Sequence, residues 1–362
     1  MRLHALTFAL LCALSAPVLA DEAAKPAPAA PAAPKVKWVL PWKPGLALAY
    51  ATEDTTTEEK DGTTTRTRGT DTTRVRVAAG ADGGFVQTWT GEGGKYDLLE
   101  GPPSAQAMLK ETRAAAAAFE GTPIEVRLAA DGTYAGVRNI EPLVAKMREL
   151  MQPVIVAGVE AELAKIEDPK KREQARAAAQ QRVQPTMDRL LTPTYVEALL
   201  TRQIQDYDGF HGLELEPDQS YEAETQLPNP LGGTAFPAKI TFSMSVSEDD
   251  PEDLYVAWDM VIDPDKAAQA ALEIGEKMAG SKLDKTGKEA LAKLDIADEG
   301  IIVVYRPTGV VEMFESTRTT QVPGQSKKIE RHRMRLLDGA HDHKWRDAQE
   351  TAGAEAAKDE QG

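Results

Sequence analysis

Residues 239–246 read KITFSMSV and residues 254–262 read LYVAWDMVI. In the first, Ile240, Phe242, Met244 and Val246 alternate with Lys239, Thr241, Ser243 and Ser245. In the second, Leu254, Val256, Trp258, Met260 and Ile262 alternate with Tyr255, Ala257, Asp259 and Val261. Successive side chains of a strand point to opposite faces, so both stretches predict antiparallel strands with one buried and one wetter face. The acidic run between them, Glu248, Asp249, Asp250, Glu252 and Asp253, reads as a hairpin tip, since it lacks the central glycine and spacing of a calcium loop.

Working outward, the chain closes with three more strand-like stretches, Gly300 to Arg306, Val310 to Gln321 and Lys327 to Leu337, joined by Pro307-Thr308-Gly309 and Val322-Pro323-Gly324. Near the other end, Leu46, Leu48 and Tyr50 alternate with alanines and lead into an arm with eleven threonines between Thr52 and Thr73. Threonine suits an exposed sheet face, and Asp61-Gly62 is the pair a tight turn needs, so this arm is a long hairpin with Val75 and Val77 facing away from Arg74 and Arg76. Lys43-Pro44-Gly45 and Arg306-Pro307-Thr308-Gly309 each precede an aromatic residue five positions after the glycine, Tyr50 and Phe314, and each opens a threonine-rich hairpin. This echo suggests two hairpins that are neighbours in one sheet. Gly84 to Thr90 and Lys95 to Leu99 read as two strands with a glycine-rich turn between them, and Ile124 to Leu128 with Tyr134 to Asn139 as a hairpin turning at Asp131-Gly132.

Helical spacing appears elsewhere. Ser104 can cap a helix running to Phe119. Across residues 141–207, Leu143, Met147, Leu150, Val159, Leu163, Ile166, Leu190, Tyr195, Leu199 and Ile204 recur at helical intervals, and Pro153, Pro169, Pro185 and Pro193 divide the segment into several helices. Residues 170–184 hold little apolar content and read as a solvent-facing helix. A further helical insert spans 265–294. These patterns predict an α+β fold, a large antiparallel sheet packed against a central set of helices, in one domain over residues 38–345.

The termini read differently. Arg2 precedes an apolar run ending in Val18-Leu19-Ala20, which reads as a secretory signal over residues 1–20 and leaves no transmembrane segment after cleavage. Cys12, the single cysteine, follows Leu11 rather than a small residue, so it is not a lipidation site and departs with the signal. Residues 21–37 hold Pro26, Pro28, Pro31 and Pro34 among alanines and form an extended spacer. Residues 346–362 form a disordered acidic tail. The expected location is the periplasm, or the medium of a Gram-negative-type bacterium.

Chemistry is sparse. With 42 Lys and Arg against 57 Asp and Glu, a net charge of -15, the chain lacks the clustered cations that nucleic acid requires. Asp284-Lys285-Thr286-Gly287 matches the start of the P-type ATPase loop, but Lys288 breaks that motif. The Gly280 to Lys288 stretch has the wrong spacing for a phosphate loop, and there is no Gly-x-Ser-x-Gly elbow. His341 and His343 project to one side of an extended segment and form a weak metal candidate, outweighed by their place at the entrance of a tail. His332, between Arg331 and Arg333, reads as an exposed strand residue. No catalytic residue, cofactor or resident metal is expected.

Signal, Pro/Ala spacer, long antiparallel strands, central helices and further strands, from Trp38 to Leu337, resemble the half-barrel envelope proteins related to lipoprotein carriers. Leu227-Pro228-Asn229-Pro230-Leu231-Gly232-Gly233 and Trp42-Lys43-Pro44-Gly45 resemble stretches of uncharacterised exported bacterial proteins. That likeness implies a curved, half-barrel-like sheet with a concave face. Phe242, Met244, Trp258, Met260, Met313 and Met334 are then candidates to line an apolar cavity, because methionine adapts to a guest. The expected role is a non-catalytic envelope protein binding an apolar small molecule, a lipid or an envelope partner protein in that concavity. The alternatives are a structural or assembly protein and a carboxylate-dependent hydrolase.

Overall fold

The computed structural model describes residues 34–337, apart from 165, 228–235, 323 and most of 264–293. Its body is one unclosed antiparallel sheet of eleven strands. The N-terminal half supplies β2 (Ala47–Lys60), β3 (Thr63–Ala79), β4 (Phe85–Glu100), β5 (Ile124–Leu128) and β6 (Tyr134–Val137). The C-terminal half supplies β8 (Ser220–Leu227), β9 (Phe236–Val246), β10 (Asp253–Ile262), β11 (Asp295–Tyr305), β12 (Val310–Val322) and β13 (Ser326–Leu336). The spatial order is β6-β5-β4-β3-β2-β13-β12-β11-β10-β9-β8, so β2 and β13 form the seam between the halves. A separate pair, β1 (Val36–Lys37) with β7 (Glu214–Leu215), ties down the start of the described chain. Two residues assigned to the spacer therefore belong to the fold. The result is the α+β, half-barrel-like architecture expected.

The two echoed hairpins, β2 with β3 and β12 with β13, are neighbours across the seam. The first turns at Asp61 and Gly62, both at positive φ, as a two-residue hairpin of this twist requires. The glycines that open them, Gly45 and Gly309, also have positive φ. At Gly309 the reason is sharper: a Cβ would lie 1.8 Å from the Val39 carbonyl oxygen, because the N-terminal segment crosses this turn and Trp38 Nε1 donates to the Gly309 carbonyl at 3.0 Å.

Several local readings change. The stretch expected as two strands is the single strand β4, because the long β3 continues as its template; the glycines form a bulge at which Asp71 stands against Gly93 and Gly94. Helix α1 (Pro103–Phe119) begins from Pro102 with Pro103 in its first turn, so Ser104 lies inside it and does not cap it. Pro169 and Pro193 do start helices, α3 (Pro169–Leu190) and α4 (Pro193–Asp208), capped by the side chains of Asp168 and Thr192. Pro153 and Pro185 instead lie within α2 (Ile140–Ala164) and α3. Strand β8 has no counterpart in the sequence reading, since Ala223 and Thr225 give a weak apolar alternation. The 1–20 signal, the 346–362 tail and nearly all of the 265–294 insert lie outside the described residues.

The sheet's inner face carries α4. Tyr207 meets Tyr50, Trp89 and Phe314 edge-on, and Phe210 stacks on Trp258 and touches Phe242. Register shows how this face changes along its width. One row runs Met244, Val256, Ile302, Phe314, Met334 and Thr52; the next runs Phe242, Trp258, Gly300, Ser316, His332, Asp54 and Gly69; a third runs Ile240, Met260, Asp298, Arg318, Glu330, Thr56 and Thr67. The second and third rows are apolar over β9 and β10 and lose that character from β11 to β3, while the first stays apolar as far as Met334.

Candidate functional site

The five inner-face candidates fall into two groups. Phe242, Met244, Trp258 and Met260 are buried together, Phe210 packs against both aromatic ones and Tyr221 stacks on Phe242, so this end is filled core. Met334 lies on the same face further along, at the edge of an open space. Met313 does not join them. It is adjacent to the inward Phe314, and it pairs with Val303 and Arg335 on the outer face. Successive strand residues cannot share a face unless a bulge intervenes, and the bulge here falls at Glu312, on the other side of Met313. His341 and His343 lie outside the described residues, and among the described residues no group of three potential metal ligands is present.

The open space is a cavity of about 320 Å³ between α1, α4 and the inner face of β3, β4 and β13. Its apolar wall is Trp89, Phe119, Ile124, Leu200, Ile204 and Met334; its polar end holds Asp71, Tyr96 and His332, with Arg113 and Gln203 at the margin. Local sequence explains the placement. The Tyr96 ring lies flat over Gly69, its cross-strand partner, where a Cβ would come within 2.8 Å of the ring. The alanine-rich side of α1, including Ala116 and Ala117, leaves volume that larger residues would take up.

At the polar end, Asp54 accepts from His332 Nδ1 at 2.7 Å, and His332 is only 7% exposed. The expectation of an exposed histidine fails because β13 is central, with β12 and β2 on either side and α4 above. Thr73 donates to Asp71 Oδ1 at 3.1 Å, and Thr52 donates to Thr73 at 2.9 Å. Burial raises the Asp71 carboxyl above the usual range, with Asp54 adding to the rise. Tyr96 is raised by burial and then by the same two carboxylates.

Two further buried clusters flank the cavity. On one side, Arg318 donates through Nε and Nη2 to the two carboxylate oxygens of Asp298, and Asp206 of α4 sits in their field. Burial pushes Asp206 up to about 6, opposed by Arg202. On the other, His211 lies between Trp38 and Trp42 with ring centroids 4.2 and 5.0 Å away. Burial drives His211 down to about 3, so its ring is neutral at pH 7, and burial raises the Asp208 carboxyl well above its usual range. Gln87 donates to Asp208 at 3.3 Å, and the Tyr50 and Tyr207 hydroxyls meet at 2.9 Å. This network ties the end of α4 to the sheet.

The outer face of the sheet has a broad depression of about 420 Å³ lined by Thr241, Ser243, Asp259, Glu299, Glu315 and Arg331. Glu315 is already paired with Arg331 and Arg333. No helix among the described residues is long and apolar enough to cross a membrane.

No family model and no curated protein matches the chain. A solved structure described as lipid-protein interactions in lipovitellin is similar at a TM-score of 0.40 and 10% identity, over 83% of this chain and 26% of that one. At that score the likeness carries nothing about this chain.

Proposed function

We propose that the protein is an exported, non-catalytic envelope protein that holds a small apolar-bodied molecule in the cavity beneath α1 and α4. The observation that supports this is the cavity itself: an apolar wall of Trp89, Phe119, Leu200, Ile204 and Met334, with polar groups such as Asp71, Glu92, Tyr96, Arg113, Glu120 and His332 in the same lining. Ligand sites have this composition and range over about 300–1,000 Å³. At about 320 Å³ the space suits one ring system or one short alkyl chain, and is too small for a two-chain lipid. The residues first considered as lining, Phe242 and Trp258, serve as packing for Phe210 in this reading. Export rests on residues 1–20 and is consistent with the likeness to half-barrel envelope proteins; it predicts a mature chain starting at Asp21.

The test is organic extraction and native mass spectrometry of protein purified from its own cells, with uptake of N-phenyl-1-naphthylamine as a second readout. Stoichiometric apolar guest, or dye uptake that Ile204→Trp abolishes by filling the cavity, supports the reading. Guest-free protein whose dye uptake is the same in both forms refutes it.

A further inference from the structure

We infer that α1 is a lid on the cavity, leaving the sheet and returning as a unit while the rest of the fold stays closed. This rests on the ligand-binding reading above and adds the route by which a guest enters. The lid is the part of the wall with the least to hold it down. Among the described residues of α1, only Ala105 and Leu109 are buried, with Ala116, Ala118 and Phe119 partly so. The facing wall, α4, is of similar length and buries Tyr195, Val196, Ala198, Thr201, Ile204 and Tyr207 among others. Apolar area removed from water is what holds a helix to its neighbours, so α1 is far more loosely held than α4.

Its polar attachment opens readily. The Arg113 side chain, 53% exposed, donates to the Tyr96 carbonyl through Nε and Nη2, and water replaces such bonds at little net cost. Glycines bracket the helix: Gly101 and Gly121 lie at φ +150° and +67°, and nothing stands within 4 Å of where a Gly121 Cβ would be, so the chain can bend there. The end beside Gly121 is the pivot. The Gly121 amide donates to the Gly91 carbonyl at 2.9 Å, and Glu120 accepts from the Gly93 amide at 2.7 Å, both on β4. Between the glycines, the run Ala114 to Ala118 favours helix yet adds no bulk that would anchor it. Arg113, Ala116, Ala117 and Phe119 line the cavity, so the departure of α1 removes one of its walls.

The experiment is hydrogen exchange of the full chain at pH 7, read by mass spectrometry, with and without N-phenyl-1-naphthylamine. A helix of this length is only marginally stable alone in water, so an undocked α1 exposes its amides. In the unliganded protein α1 should exchange at least about a hundredfold faster than α4, at a rate that low urea scarcely changes, because local opening exposes little surface. Dye at about ten times its dissociation constant should slow α1 about tenfold. Leu109→Ala removes the buried anchor and leaves the lining intact. It should speed dye association at least about tenfold, because the guest then finds the lid open more often. The exchange rates of the unaltered protein decide the matter even if that variant does not fold. An α1 that exchanges as slowly as α4, exchange unaltered by bound dye, or a folded Leu109→Ala that takes up dye no faster overturns the lid and leaves the cavity reading standing. Failure of the dye to bind overturns both.

Discussion

Replacing Asp298 by Asn tests whether the polar end of the inner face is held by charge. Asp298 on β11 and Arg318 on β12 stand opposite each other, 6% and 1% exposed, with the guanidinium meeting both carboxylate oxygens. Removing one charge of a buried pair costs about 3–5 kcal/mol, because the other is left in surroundings that solvate it poorly. Asn keeps the volume and one acceptor, so the lower end, about 3 kcal/mol, is expected. Lys239 and Glu222, both more than half exposed, make the comparison: breaking that pair with Lys239→Ala should cost at most about 1 kcal/mol. A double variant, Asp298→Leu with Arg318→Met, should recover much of the loss, since a buried pair exchanged for apolar residues of similar size is often neutral. Urea unfolding at pH 7.5, followed by tryptophan fluorescence, gives all three differences on one scale. An Asp298→Asn variant no less stable than Lys239→Ala would falsify the view that this pair is buried and charged.

Three more outcomes follow from the same structure. Phe242→Ala, which removes a buried ring touching Phe210 and Tyr221, should destabilise by about 3–5 kcal/mol, whereas Ser243→Ala on the outer face should cost little; equal losses would mean the β9 register is wrong. Asp206 has a carboxyl raised from 3.8 to about 6, so the folded state holds its proton more tightly than the unfolded chain does. Its penalty is absent below about pH 4, grows as pH rises to about 6 and is complete above; this group should therefore take about 3 kcal/mol from stability across that rise, and Asp206→Asn should flatten the profile. Gly309→Ala places a Cβ against the Val39 carbonyl and should free the N-terminal segment, seen as faster proteolysis near residues 36–42 than in the wild type; unchanged cleavage would show that the segment does not depend on this turn.

Periodicity made much of the architecture legible before any coordinates. Ile240, Phe242 and Met244 against Trp258 and Met260 fixed both the strands and their buried face, because alternation is a property of the strand backbone and needs no knowledge of neighbours. The Asp61-Gly62 turn was legible for the same reason: the demand for positive φ at both positions is local. The glycine run 91–94 misled, since the same residues serve a turn or a bulge and the choice depends on whether a partner strand continues beside them.

The site was not legible, and the reason is register across strands distant in sequence. Asp54, Asp71, Tyr96 and His332 lie on four different strands, and no spacing within the chain relates them. His332 between two arginines looked exposed, and became buried only because β13 sits at the seam of the sheet under α4. Met313 and Met334 looked equivalent as adaptable apolar residues; one bulge at Glu312 and the inward choice of Phe314 put them on opposite faces. Composition and local pattern determined an acidic α+β chain with a large antiparallel sheet, because those depend on short-range sterics and charge. Which polar side chains converge on one cavity was decided by strand order and helix placement, which exist only once the whole sheet has formed.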